Sequence, residues 1–348
     1  MGAVRTVNRN GDDDTMATRS KVAFIGTGGT IASLGWDSLD VLDYTATGQR
    51  LAADAILERV PEARTVAEVV AVPFRAVASP AIGFAEWRAL AALCAELAEA
   101  HPDLAGIVIG HGTATLEETA YALGLTLTVA CTVVLVGAQR PISALSSDAG
   151  LNLIAALRVA ADPASRERGV LVVLNDEIQA AREVTKTSVG RLQTFRTADF
   201  GVLGHVDGPH VRYYRRPERR HAPGTPFTLE GRAALPRVDV AYAYADADGT
   251  AVRAFVAAGA QGLVSAGLAP GMTPPGEADA LAEAVAAGVV VVQSTRAGSG
   301  VVPVTTRLRE RGILSADNLT PQKARILLAL ALTRTRDPVD IAAMFATY

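Results

Sequence analysis

Two threonines stand where a hydroxyl group can meet a ligand. In the stretch 106–121, GIVIGHGTATLEETAY, the apolar run Ile107, Val108, Ile109 reads as a strand buried on both faces. The turn His111-Gly112-Thr113-Ala114 follows it, at the carboxyl end where open α/β sheets place their ligands and the next helix offers unpaired N–H groups. A second turn of this kind lies near the start of the chain, where a strand at 22–25 runs into Gly26-Thr27-Gly28-Gly29-Thr30-Ile31-Ala32. Its glycines admit unusual backbone angles and let a ligand approach the main chain. Thr30 and Thr113 are therefore each presented at a strand end. Their neighbours have structural readings: Thr115 with Glu118 reads as a capping box, and a lone threonine in a turn is ordinarily a turn former. Only the repetition of the arrangement argues for chemistry. The glycine spacing is not that of a dinucleotide fingerprint, and no P-loop lysine follows.

Five segments carry a resemblance. TGGTIA at 27–32, HGTATLEETAY at 111–121, VLVGAQRP at 134–141, LNDEIQAAREVTKT at 174–187 and NLTPQKARILLALALT at 318–333 occur in order. Together, from about residue 21 to the C-terminus, they resemble the bacterial asparaginase/glutaminase family. The resemblance implies an amidohydrolase that cleaves a small carboxamide through a covalent acyl-enzyme, without a cofactor, in a homodimer or homotetramer. It implies Thr30 as the nucleophile and Tyr44, in the following loop, as the residue that activates it. Thr113 and Lys186 look like two members of a second Thr-Lys-Asp centre. A threonine hydroxyl is a weak nucleophile until a neighbouring group helps remove its proton, and the amide carbonyl needs donors aimed at its developing oxyanion. Main-chain N–H groups of the turns at Gly29 and Gly112 are suited to that task.

The departures from the family pattern concern one part of the pocket. The aspartate that follows the threonine of HGT in the family is here Ala114, whose methyl group can neither pair with Lys186 nor accept from an ammonium. The family's Ser-Gln pair aligns with Ser79-Pro80, which keeps the serine for a carboxylate or carbonyl oxygen and loses the glutamine. The glutamate contributed by a partner subunit falls, counting back from Gly312, near Thr305. Three acceptors for one substrate ammonium are thus missing together, so the expected substrate lacks that group or carries it differently. Glu310 or Asp317 of a neighbouring subunit could substitute. The alternative is a catalytically impaired homologue that binds a small carboxylate or amide ligand.

Behind these residues the elements alternate regularly. A strand at 68–72 precedes a helix with Phe84, Trp87, Leu90, Cys94 and Leu97 on one face. A strand at 131–136, a helix from about 148 capped by Asp148 and a strand at 169–174 follow. This order implies a doubly wound, mainly parallel sheet. The loop 33–48 is long enough to be a lid. His111 orients its turn, since no carboxylate partner follows nearby. Lys186, among Thr185, Thr187 and Ser188, would read as a solvated lysine without the resemblance.

The 348 residues suffice for two domains. The expected division is a disordered tail at 1–19, with Met16 an alternative start, an N-terminal α/β domain at 20–214, a linker at 215–235 and a smaller C-terminal α/β domain at 236–348. Arg215, Arg216, Arg219 and Arg220 make the linker a solvated connector. The second unit has strands at 238–244, 262–266 and 289–293, and Thr320 and Pro321 cap a helix at 322–333. Net charge of −3 and 5% aromatics argue against nucleic-acid or membrane partners. Five scattered histidines argue against a metal site. Cys94 and Cys131, both in apolar surroundings, read as buried free thiols of a cytoplasmic protein.

Overall fold

Apolar runs bounded by glycine and polar turns form the strands of the first unit in the computed structural model, which describes residues 19–348. The tail expected at 1–19, with Met16, lies outside the described residues except for Arg19. Strands β1 (Lys21–Gly26), β2 (Glu68–Val72), β3 (Leu104–Gly110), β4 (Thr132–Val136) and β5 (Leu171–Leu174) pair in parallel in the order β2-β1-β3-β4-β5. Three antiparallel strands, β6 (Glu177–Ala180), β9 (Gly204–Asp207) and β10 (His210–Tyr213), extend the β5 edge. Between them β7 (Thr185–Lys186) and β8 (Phe195–Arg196) form a separate ribbon.

Side-chain alternation puts two cores on this sheet. Val22, Phe24, Val134 and Val136 pack beneath α1 (Ala53–Arg59), α2 (Ala63–Val66) and α5 (Ala149–Ala161). Ala23, Ile25, Val133 and Leu135 face α3 (Phe84–Ala100) and α4 (Leu116–Thr126). The sheet is therefore covered on both faces, as a doubly wound arrangement requires.

The second unit is a four-stranded parallel sheet, β11 (Val238–Tyr242), β12 (Gly262–Gly267), β13 (Val290–Thr295) and β14 (Leu314–Ser315). Its outer face carries α6 (Thr250–Ala257) and α7 (Pro275–Ala286), with α8 (Thr306–Glu310) beside β14. On the inner face α9 (Pro321–Ala331) lies between this sheet and α4, and α10 (Pro338–Thr347) closes the chain. One core, holding Trp87, Tyr121, Leu125, Val264, Val292, Leu327 and Leu328, joins the two units. A site on α4 is consequently in reach of α9.

Five local expectations are corrected. Thr115 occupies the N-cap position of α4 but makes no capping bond, because its hydroxyl donates to Ser79 O at 2.7 Å. Asp148 sits at the N-cap of α5, yet its carboxylate accepts from the N–H groups of Gln139 and Arg140 and from Asn152 Nδ2. Thr320 precedes α9 with its buried hydroxyl unpartnered. Cys131 is half-buried, in contrast to the fully buried Cys94. Residues 214–237 carry no helix or strand, but they are not a solvated connector. Phe227 and Leu229 enter the core between the units, and Arg215 and Arg219 form ion pairs with Glu183 and Asp317.

Candidate active site

Adjacent parallel strands place their following turns side by side, and the register Ile25↔Ile109 and Gly26↔Gly110 does this for the two threonine turns. Thr27 prolongs the contact by donating both its N–H and its hydroxyl to Gly110 O at 2.9 Å. The approach is so close that a Cβ at Gly29 would lie 2.2 Å from Gly112 Cα, and one at Gly112 would lie 2.5 Å from Ser79 Cβ. Gly29 also has a φ of 81°. Both glycines are thus required by packing. Three turns, at Gly29, Ser79 and Gly112, converge at the carboxyl end of the sheet.

Thr30 begins a single 3-10 turn and is 9% exposed. Its Oγ1 lies 2.9 Å from the hydroxyl of Tyr44, which is half-buried. Tyr44 comes from the loop expected as a lid. That loop is tied at both ends: Thr47 Oγ1 donates to Leu34 O at 2.7 Å, and Ser33 bridges to Arg50. Its middle is anchored too, since Gly35 N–H donates to Ser143 Oγ at 2.8 Å and Leu145 N–H to Ser38 O at 2.7 Å.

Thr113 is 6% exposed, and its Oγ1 accepts from Lys186 Nζ at 2.7 Å. Burial lowers the Lys186 pKa below the usual lysine range, with Glu117 opposing the shift. Lys186 is therefore no ordinary solvated lysine, and its neutral amine form is made more accessible. Glu117 was not foreseen as part of this region. It lies buried in the first turn of α4 and accepts from Thr185 Oγ1 at 2.7 Å and Lys186 N–H at 3.2 Å.

His111 is completely buried and holds its turn in place. Gly112 O can only accept, so Nδ1 carries the proton in the 2.7 Å contact between them. Nε2 then accepts from Thr119 Oγ1 at 3.0 Å, and Thr119 Oγ1 accepts from Trp87 Nε1 at 3.0 Å. Burial pushes the His111 pKa down to about 4. A neutral imidazole with both nitrogens engaged is a support for the turn, as expected, and not a base.

Ser79, expected as a substrate contact, is buried at the same junction. Its Oγ donates to Gly112 O at 2.7 Å and accepts from Thr115 N–H at 3.0 Å. The hydroxyl proton is thus directed at the main chain of the turn. Ala114 and Pro80 are exposed beside Thr113 and Ser79. Thr305 is exposed and caps α8 by accepting from Leu308 N–H at 3.3 Å. Asp317 is held by Arg182 at 3.2 Å and Arg219 at 2.6 Å, and Glu310 is exposed at the end of α8.

The structure brings two side-chain pairs, Thr30 with Tyr44 and Thr113 with Lys186, to turns that touch one another. Such an arrangement can remove a proton from a threonine hydroxyl in either pair. A cavity of about 540 Å³ lies at the opposite end of the strands and is lined by His101, Cys131, Thr132 and Arg166. It shares no residue with the threonine turns.

Comparison with known proteins agrees in both units. Residues 21–219 match the family model "Asparaginase, N-terminal" and residues 237–345 the "Glutaminase/Asparaginase C-terminal domain". "Probable L-asparaginase periplasmic" of Haemophilus influenzae is 41% identical, over 94% of this chain and 93% of that protein. "Glutaminase-asparaginase" of Pseudomonas fluorescens is 35% identical, over 96% and 92%. The crystal structure named as a probable cytoplasmic L-asparaginase from Campylobacter jejuni superposes with a TM-score of 0.90 at 36% identity, covering 95% of this chain and all of that one.

Proposed function

This chain belongs to the asparaginase/glutaminase family and is a hydrolase of amide C–N bonds, and from that premise we propose that it cleaves a small carboxamide through an acyl-enzyme on Thr30. The observation that carries the reading is the 2.9 Å contact between the hydroxyls of Thr30 and Tyr44, against a turn whose threonine is held by Lys186. Thr30 Oγ attacks the amide carbon as Tyr44 draws off its proton. The C–N bond then breaks, the amine leaves with a proton, and the acyl group remains as an ester on Thr30. Water, activated by the Thr113-Lys186 pair, attacks that ester to release the carboxylate and restore the hydroxyl. The N–H groups of Thr30 and Thr113 meet no acceptor among the described residues, which suits them to a developing oxyanion. Mass spectrometry of enzyme mixed with a slow amide is expected to find the acyl group on Thr30. Normal turnover by Thr30→Ala overturns the assignment.

The pocket has lost its acceptors for an α-ammonium at Ala114 and Pro80, and Thr305 is occupied as a cap. Asp317, already shared by two arginines, is a poor substitute. Each charge-assisted bond is worth about 1.5–3 kcal/mol, so losing two weakens binding by roughly two to four orders of magnitude. Succinamate is therefore expected to surpass asparagine in kcat/KM, and the reverse order would sink this reading of the pocket. Nothing in the site or the relatives favours a protein that merely binds such ligands. We further propose a homodimer or homotetramer acting in the cytoplasm, supported by the family and by two unpaired cysteines. Light scattering tests the first and cell fractionation the second.

A further inference from the structure

We infer that Lys323 and Glu117 are a positioning pair for Lys186: a buried ammonium of the C-terminal unit and a buried carboxylate of α4 together clamp the segment from which Lys186 reaches Thr113. The inference rests on the reading of Lys186 as part of the reaction centre.

Lys186 lies six residues beyond β6, on a two-residue strand, and such a short element holds its direction poorly without help. Help comes from two sides. Lys323, in the first turn of α9, is 1% exposed, and its Nζ donates to Ala181 O at 2.9 Å, to Arg182 O at 3.0 Å and to Val184 O. All three ammonium protons are thereby used on one stretch of main chain. Glu117 takes the next two residues, through Thr185 Oγ1 and Lys186 N–H. The two charges face each other at 3.9 Å.

An ammonium buried to this degree is costly unless it is paired and fully hydrogen-bonded. Burial lowers the Lys323 pKa to about 8, while Glu117 works in the other direction. The choice of side chain is informative. The chain holds three lysines, Lys21, Lys186 and Lys323, against thirty arginines. A compact ammonium can gather three carbonyls at one point, which a planar guanidinium cannot. Beside the pair a cavity of about 30 Å³, bordered by Arg182, Thr185, Thr320 and Lys323, leaves room for the segment to shift if the clamp is removed. The Arg182 side chain bonds Tyr348 O, Asn318 Oδ1 and Asp317, so the start of the segment keeps a second anchor. Lys323 and Glu117 govern the part nearest Lys186.

With three lysines in the chain, amine acylation read by mass spectrometry reports on Lys186 directly, with Lys21 as the internal reference. In the intact enzyme, Lys323→Met and Glu117→Gln are expected to raise the Lys186 to Lys21 labelling ratio severalfold. They are expected to lower kcat by about ten- to a hundredfold while KM stays within about twofold, because a small displacement of a reacting group is costly. If Lys323→Met does not fold, Glu117→Gln decides. An unchanged labelling ratio in folded variants overturns the inference, whatever happens to turnover. A raised ratio with unchanged kcat leaves the clamp standing and removes Lys186 from the reaction, which is a failure of the functional reading instead. A wild-type enzyme that hydrolyses no amide leaves the labelling ratio to decide the clamp alone.

Discussion

Both sheets carry hydroxyl side chains at their carboxyl ends, yet they treat those hydroxyls differently. At the carboxyl end of the C-terminal sheet, Ser294 Oγ donates to Leu319 O at 2.8 Å and Thr295 Oγ1 to Gly267 O at 3.3 Å. Gln293 Nε2 there is shared among Ser265 O, Ser265 Oγ and Ser294 O. These partners are mainly carbonyls, which cannot carry a proton away near neutral pH. At the N-terminal sheet, Thr30 and Thr113 instead meet Tyr44 and Lys186, side chains that exchange protons. On the proposed reading, the strand end supplies a place for chemistry and the kind of partner decides whether chemistry follows.

The comparison breaks most plainly at the hydroxyls. Thr30→Ala is expected to lower amide turnover by on the order of four orders of magnitude or more, whereas Ser294→Ala and Thr295→Val should keep it within about twofold. Steady-state kinetics on one amide checks all three. Lys186→Met is expected to cost on the order of two to three orders of magnitude in kcat. Its pH profile sharpens the point. A base acts when deprotonated, and water attack on the ester follows loss of the amine, so it is kcat that should rise with pH, and because burial lowers the Lys186 pKa the midpoint should fall below 10.5. Persistence of that limb in Lys186→Met would show that another group is titrating.

Glycines allow the same contrast for stability. Gly29→Ala combines a positive φ with an overlap on Gly112 and is expected to cost about 4 kcal/mol in urea unfolding. Gly288, after α7, has a φ of 82° but open space around it, so Gly288→Ala should cost only about 1–2 kcal/mol. Equal costs would mean that the two turns do not touch as closely as 2.2 Å implies.

An acid dependence of stability is carried by His111. Its folded pKa, about 4, lies below the ordinary 6.5, so the unfolded chain binds more protons between these values. Stability from this group is intact above pH 6.5, is lost as pH falls toward 4, and changes no further below it. The loss is on the order of 3 kcal/mol, and unfolding curves of wild type and His111→Gln across this range should differ by that slope.

Local features were legible in the order of residues alone: strands from apolar runs, helices from apolar faces, and two threonine turns after two strands. These follow from side-chain periodicity and backbone freedom, which act over a few residues. The family motifs added the roles expected of Thr30, Tyr44, Thr113 and Lys186. Where a partner is distant, local reasoning chose the wrong one. Thr115 looked like a helix cap but bonds Ser79, 36 residues away. Asp148 looked like another and instead holds the main chain of Gln139 and Arg140. The arginines near residue 215 looked solvated, and two are ion-paired. Lys323 was legible only as one charge within the helix motif, and its three carbonyl partners lie about 140 residues earlier in the chain. Tertiary structure decided these pairings because a hydrogen bond or ion pair depends on which groups come within about 3 Å, and that is set by the packing of α4, α9 and the two sheets around their shared core.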